Sequence, residues 1–209
     1  ATYSYVDISW SATCVACWEL IKALYGKVSD EACKRIYTGI YTDTGSFKFS
    51  NTDARTHNIA AEIINQIGEM SEIGRVFSLK KISMIRLYNI ALSKIEFFSQ
   101  GKIIYLYLTK EDYENAGAVE EDGEGLSGYL RDVEGVDTSV FVKPSTNEGE
   151  LKISMRSYLL VDVSQVAMDF KGGGHKRAAG FTFVGSENEL KPKIIERLER
   201  AIDDSKRNT

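Results

Sequence analysis

The unbroken run Ile103-Ile104-Tyr105-Leu106-Tyr107-Leu108 constrains the fold more than any other stretch of this chain. A strand with one wet face alternates polar and apolar residues. One without alternation is covered on both faces, as in sheets flanked by helices. The flanking patterns agree: 83–98 reads as a helix leading into a strand over 102–109. Further on, 137–143 and 150–157 read as the two strands of a hairpin, joined by the turn-rich Pro144-Ser145-Thr146-Asn147-Glu148-Gly149. A short helix over 162–169, a strand over 180–184 and a closing helix over 186–203, opened by Ser186 with Glu189 three residues on, complete a mixed-sheet α/β half.

Ahead of that half the periodicity is helical. Residues 11–24 and 30–40 read as two helices, the first introduced by Ser11 and ended by Gly26, the second opened by Ser29-Asp30 with Glu31 in its first turn. Asn51-Thr52-Asp53 caps a third helix that runs to about Ile67 and ends on Gly68, and Gly74 marks another break. A change of composition over 70–82 sets the expected boundary, giving domains at 1–75 and 76–209.

The 209 residues are 43% hydrophobic, enough for a sizeable core, and their formal net charge of −4 argues against a nonspecific binder of long duplex nucleic acid, which needs a broad basic face. A small anion gripped by a few local cations is compatible with it. No stretch reaches the length of a membrane span, and residues 1–7 show neither a basic n-region nor an apolar h-region, so no membrane partner is expected and the cytoplasm is the expected location. Cys14 and Cys17 have CxxC spacing, but no second such pair exists to complete a zinc site. With Cys33 they read as small apolar residues on amphipathic helices.

Three segments carry candidate chemistry. In Lys171-Gly172-Gly173-Gly174-His175-Lys176-Arg177-Ala178-Ala179-Gly180, glycines let backbone N–H groups converge on an anion, while His175 and the neighbouring cations add donors and charge. A glycine run is equally a flexible connection between a helix and a strand. On the strand 150–157, alternation sends Ser154 and Arg156 to one face and Met155 and Ser157 to the other, and a guanidinium there suits a phosphate clamp. Asp43, within Thr38-Gly39-Ile40-Tyr41-Thr42-Asp43-Thr44-Gly45-Ser46-Phe47, either caps a turn or offers oxygen to a hard cation. Arg131 and the run Glu120-Glu121-Asp122 read as solvated charges without a role.

The segment around Asp43, the strand motif Ser154-Met155-Arg156-Ser157 and Gly172-Gly173-Gly174-His175 occur in that order, and in this the chain resembles the DHH-family phosphoesterases, most of all the nanoRNase and phosphoadenosine-phosphate phosphatase type, also described as exopolyphosphatase-related. The resemblance covers nearly the whole chain. It implies the C-terminal part of a DHH-type α/β catalytic domain followed by a smaller mixed-sheet α/β domain that selects substrate. It also implies a site with two Mn²⁺ or Mg²⁺ ions, to which Asp43 contributes from the end of a strand, and a short RNA or nucleotide substrate held by Arg156, Ser157, Gly172, Gly173, Gly174 and His175. The Asp-His-His triplet and the upstream Asp-x-Asp motif of that family are absent, and His57 and His175 are the two histidines in the sequence. The expectation is therefore a C-terminal part of a longer metal-dependent phosphoesterase, inactive by itself and not retaining its ions. The alternatives are a non-catalytic nucleotide-binding module, or a phosphodiesterase for cyclic dinucleotides, polyphosphate or single-stranded DNA. A homodimer is compatible with all of these.

Overall fold

The computed structural model describes residues 7 and 9–207; residues 1–6, most of the stretch read above for a leader, lie outside them. The chain divides into two units between Leu79 and Lys80, a few residues beyond the boundary between 75 and 76 that composition suggests.

The first unit is helical: α1 (Thr13–Tyr25), α2 (Asp30–Asp43), α3 (Ala54–Ile67) and α4 (Ser71–Ser78). Its core is made by Val15 and Trp18 of α1, Cys33 and Ile40 of α2, and Ile59 and Ile63 of α3. Ser29 and Asp53 cap α2 and α3 through their side chains, and Gly26 closes α1 in the left-handed region. Ser11 is not a cap. Ala12 holds that position, and the Ser11 hydroxyl lies buried 2.6 Å from Thr56 Oγ1 on α3. Gly74 does not break a helix either; it sits inside α4, where a Cβ would stand 3.4 Å from the Tyr41 hydroxyl. The cysteines differ among themselves: Cys33 is buried, Cys14 half-buried and Cys17 exposed.

The second unit runs α5 (Ile82–Ser93), β1 (Glu96–Phe98), β2 (Ile103–Tyr107), α6 (Lys110–Ala116), a 3₁₀ turn at Glu120–Gly123, α7 (Leu126–Arg131), β3 (Thr138–Pro144), β4 (Glu150–Ser157), α8 (Val163–Asp169), β5 (Gly173–His175), β6 (Ala178–Val184) and α9 (Glu187–Arg207). The strands form one sheet in the order β1-β2-β3-β4-β6-β5, with β2 parallel to β3 and every other pair antiparallel. The mixed α/β class read from the sequence is the fold of this unit.

The helix read over 83–98 stops at Ser93, and its tail becomes the edge strand β1, which sets Phe97 opposite Ile104. Ser99, Gln100 and Gly101, all at positive φ, turn the chain back into β2. That strand is covered twice, as its composition requires. Ile103 and Tyr105 pack in one core with Val163 of α8 and Leu190 of α9. Ile104 and Leu106 pack with Leu87 of α5 and Leu126 and Leu130 of α7. Each of these side chains contributes roughly 1.5–3 kcal/mol relative to exposure, so β2 anchors both layers.

Helix α6 escaped the sequence reading although its signal was present. Thr109 and Asp112 form a reciprocal capping box, in which each side chain accepts from the other's backbone N–H. The layer made by α5, α6 and α7 stops short of the far strands. Lys152, Ser154 and Arg156 on β4, with Ala178 and Gly180 on β6, are half-buried, whereas their alternating neighbours Leu151, Ile153, Met155, Ala179 and Phe181 are buried. That uncovered face carries the candidate site. No helix among the described residues is long and apolar enough to cross a membrane.

Candidate functional site

Register decides which side chains meet on the open face. Arg156 pairs with Ser139 on one side and Ala178 on the other, and Ala178 pairs with His175. Ser154, Gly180 and Gly173 form the next row in that direction, and Lys143, Lys152 and Thr182 the one beyond. Cross-strand partners share a face. Arg156 and His175 therefore stand on one row two strand spacings apart, about 9.5 Å, with only a methyl group between them. A cleft of about 670 Å³ lies over this face, and its lining includes Glu120, Lys143, Lys152, Ser154, Arg156 and Gly180.

Arg156 is half-buried, and its Nη1 donates to the carbonyl of Met155 at 3.0 Å. No carboxylate among the described residues lies within ion-pair distance of it. Burial, and after it the charge of Arg131, push its guanidinium below its ordinary value. Arg131 is itself held by Asp132, with Nε donating at 2.8 Å. A desolvated cation without a counter-ion is costly, and an anion in the cleft would offset that cost.

The glycine run takes a shape other than the open loop read from the sequence. Gly173–His175 form β5, an edge strand that returns into β6 through Lys176 and Arg177. A Cβ on Gly172 would stand 2.3 Å from the carbonyl oxygen of Gly180, and one on Gly174 2.5 Å from that of Ala178; Gly174 also has φ of +141°. Close strand approach thus requires two of the three glycines, while nothing lies within 4 Å of a Cβ on Gly173. The N–H of Gly172 is not available to an anion, because it donates to the Ala167 carbonyl at 2.8 Å and closes α8. His175 is exposed on the outermost strand.

Ser157 is not brought to this face. It is buried on the opposite one, where its hydroxyl donates to the Val161 carbonyl at 2.7 Å. Arg177 also serves the fold, its Nη1 donating to the same carbonyl at 3.1 Å.

Asp43 ends α2 instead of a strand, because the helix continues past residue 40 until the Thr44 hydroxyl donates back to the Ile40 carbonyl at 2.6 Å. It is exposed, and among the described residues no group of three His, Cys, Asp or Glu side chains is placed to hold a metal ion. The described residues do not by themselves complete a two-metal centre.

Two features escaped the sequence reading. Glu120, read as a solvated charge, accepts from Lys143 Nζ at 2.8 Å and lies 3.3 Å from Lys152 Nζ. Asp122 in the same run is buried and accepts from the Val119 N–H and the Ser83 hydroxyl. Lys152 shares the period of two with Ser154 and Arg156 and was legible; its pairing with Lys143 depends on register and was not. Asp137 is also buried, and its carboxylate accepts from the backbone N–H groups of Leu159, Leu160 and Val161, fixing the loop that follows β4.

Comparison with known proteins bears on the unit that holds this cleft. The chain is 35% identical over 198 residues to a protein of Thermus thermophilus named bifunctional oligoribonuclease and PAP phosphatase NrnA, covering 94% of this chain and 59% of that one. A Bacillus subtilis protein of the same name is 27% identical over 186 residues, covering 84% of this chain and 58% of its own length. The chain thus spans less than two thirds of the curated relatives it matches. A crystal structure of an exopolyphosphatase-related protein from Bacteroides fragilis superposes with a TM-score of 0.82 at 26% identity, covering 97% of this chain and 62% of that one. The family model described as the DHHA1 domain matches residues 100–204, which contain the sheet from β2 onward and every residue named in the cleft. Half of the chain, including its open sheet face, carries that family's pattern, and the chain belongs to the DHHA1 domain family.

Proposed function

We propose that this chain is the substrate-gripping part of a metal-dependent phosphoesterase that hydrolyses short oligoribonucleotides and phosphoadenosine phosphate. One observation carries the reading: Arg156 is a half-buried guanidinium without a carboxylate partner among the described residues, lining a cleft together with Ser154 and Gly180. A phosphate monoester or diester supplies the missing charge and the bidentate geometry that a guanidinium favours. His175, across the small Ala178, would donate to the same ligand. The names of the relatives support the nucleotide class, and the three free cysteines support a reducing compartment such as the cytoplasm.

Dependence on Mn²⁺ or Mg²⁺, a metal role for Asp43 and a homodimer are further parts of the proposal. The described residues do not assemble a metal site, and what they offer a nucleotide is recognition. The same observation favours a second reading of the chain taken by itself, as a module that binds nucleotide without cleaving it.

Calorimetric titration with adenosine 3′,5′-bisphosphate tests the first claim. The chain should bind, and Arg156→Met should weaken binding at least tenfold, the loss of a charge-assisted hydrogen-bonded pair. Equal affinities for the two proteins would remove Arg156 from the site. Chromatography of 5′-phosphorylated triadenylate after incubation with the chain and Mn²⁺ separates the two readings: shortened products support hydrolysis by the chain, and intact ligand supports the module.

A further inference from the structure

The cleft holds more positive charge than Arg156 supplies. Lys143 and Lys152 are direct cross-strand partners on β3 and β4, at the opposite end of the cleft from Arg156. Both ammonium groups turn to one carboxylate oxygen of Glu120, at 2.8 and 3.3 Å. The Lys143 side chain is only 13% exposed, while those of Lys152 and Glu120 are 42% and 43% exposed. Two cations thus share one carboxylate that projects from a 3₁₀ turn instead of the sheet. Glu124, the other acidic residue lining the cleft, makes no ion pair with either lysine.

A carboxylate in this position is a replaceable counter-ion. Lys143 and Lys152 are fixed by adjacent strands, whereas Glu120 reaches them from the surface, and a phosphate presents more acceptor oxygens to the same pair of donors. The distance from Arg156 to this pair is set by the strand: four residues of β4 separate Arg156 from Lys152, about 13 Å at 3.3 Å per residue. A mononucleotide phosphate held at Arg156 would not reach the lysines; an oligonucleotide lying along β4 would.

We infer that Lys143 and Lys152 form a second anion subsite of the cleft, which takes a phosphodiester of an oligonucleotide whose other phosphate is held at Arg156, with Glu120 as the resident counter-ion that the ligand displaces. The inference rests on the reading of Arg156 as a phosphate grip. It gives the cleft a length preference that Arg156 alone would not supply.

Titration of the full chain with adenosine 5′-monophosphate and with 5′-phosphorylated triadenylate tests it. Lys152→Met should weaken the triadenylate by roughly tenfold or more and leave the monophosphate unchanged, since it removes one charged contact from the longer ligand alone. Glu120→Gln should act in the opposite direction, tightening the triadenylate without affecting the monophosphate. Raising the salt concentration should weaken the longer ligand more steeply. Triadenylate binding that is unchanged in both variants, or variants that shift the two ligands equally, would overturn the subsite while leaving Arg156 in place. Failure of both ligands to bind the unmodified chain would overturn the grip at Arg156 and the subsite with it.

Discussion

The three glycines of Gly172-Gly173-Gly174 look alike in sequence and should respond differently to alanine. At Gly174 an added Cβ meets the Ala178 carbonyl oxygen at 2.5 Å and the Ala179 Cα at 2.6 Å, backbone atoms that cannot rotate away, and the residue has φ of +141°. The backbone conformation costs about 1–3 kcal/mol for a residue with a Cβ, and the overlap costs about 1–3 kcal/mol more. At Gly172 the overlap is with the Gly180 carbonyl at 2.3 Å and the Phe181 Cβ at 2.4 Å, so the steric part alone applies. At Gly173 nothing lies within 4 Å and the site is exposed, so alanine should change stability by no more than about 0.5 kcal/mol. At roughly 2–8 °C per kcal/mol, Gly174→Ala should lower the melting temperature of the second unit by about 5 °C or more, Gly172→Ala by somewhat less, and Gly173→Ala by very little. Far-UV circular dichroism should record the loss. Equal melting of the Gly173 and Gly174 variants would refute the claim that strand approach, not loop flexibility, dictates this run.

Other perturbations follow from individual contacts. Asp137→Ala leaves the backbone N–H groups of Leu159, Leu160 and Val161 without their acceptor and should cost about 3 kcal/mol or more in urea unfolding, whereas Asp137→Asn, which keeps one oxygen, should cost less. Arg156→Met should leave the urea midpoint unchanged or raise it, because the guanidinium has no carboxylate partner among the described residues and its burial is unfavourable; a clear fall would indicate a structural role. Acid unfolding should depend on Asp112. Burial alone would raise its carboxyl, but hydrogen bonds from Lys94 and Thr109 outweigh burial and hold it below the ordinary 3.8. Its folded form thus binds protons less readily than its unfolded form, so the stabilisation is complete above the ordinary value and is lost as pH falls through the lower, folded one. Asp112→Asn should flatten the decline in stability below about pH 4, as read by urea midpoints across pH.

Local chemistry was the legible part of this chain. The lack of alternation in Ile103 to Leu108 announced a strand covered on both faces, and Ser29, Asp53 and Asp162 marked helix starts where the structure has them. The alternation along 150–157 separates Arg156 from Ser157, and the structure keeps the two on opposite faces, with the buried Ser157 hydroxyl donating to the Val161 carbonyl. Pairing partners were not legible. Nothing local to Gly173 says that it will lie against Gly180, or to Lys143 that it will face Lys152, because register is fixed by contacts distant in sequence. The helix reading over 83–98 failed for a related reason: Glu96-Phe97-Phe98 is apolar enough for either element, and the neighbouring edge of β2 makes it a strand.

The proposed site for an anionic nucleotide is the open face of β4, β6 and β5. Amide chemical-shift mapping of the ¹⁵N-labelled chain during titration with adenosine 3′,5′-bisphosphate locates the ligand residue by residue. The largest shifts should fall at Ser154, Arg156, His175 and Ala178. Shifts centred instead on the separate cleft beside Tyr158 and Leu159, or on the Asp43 segment, would contradict it.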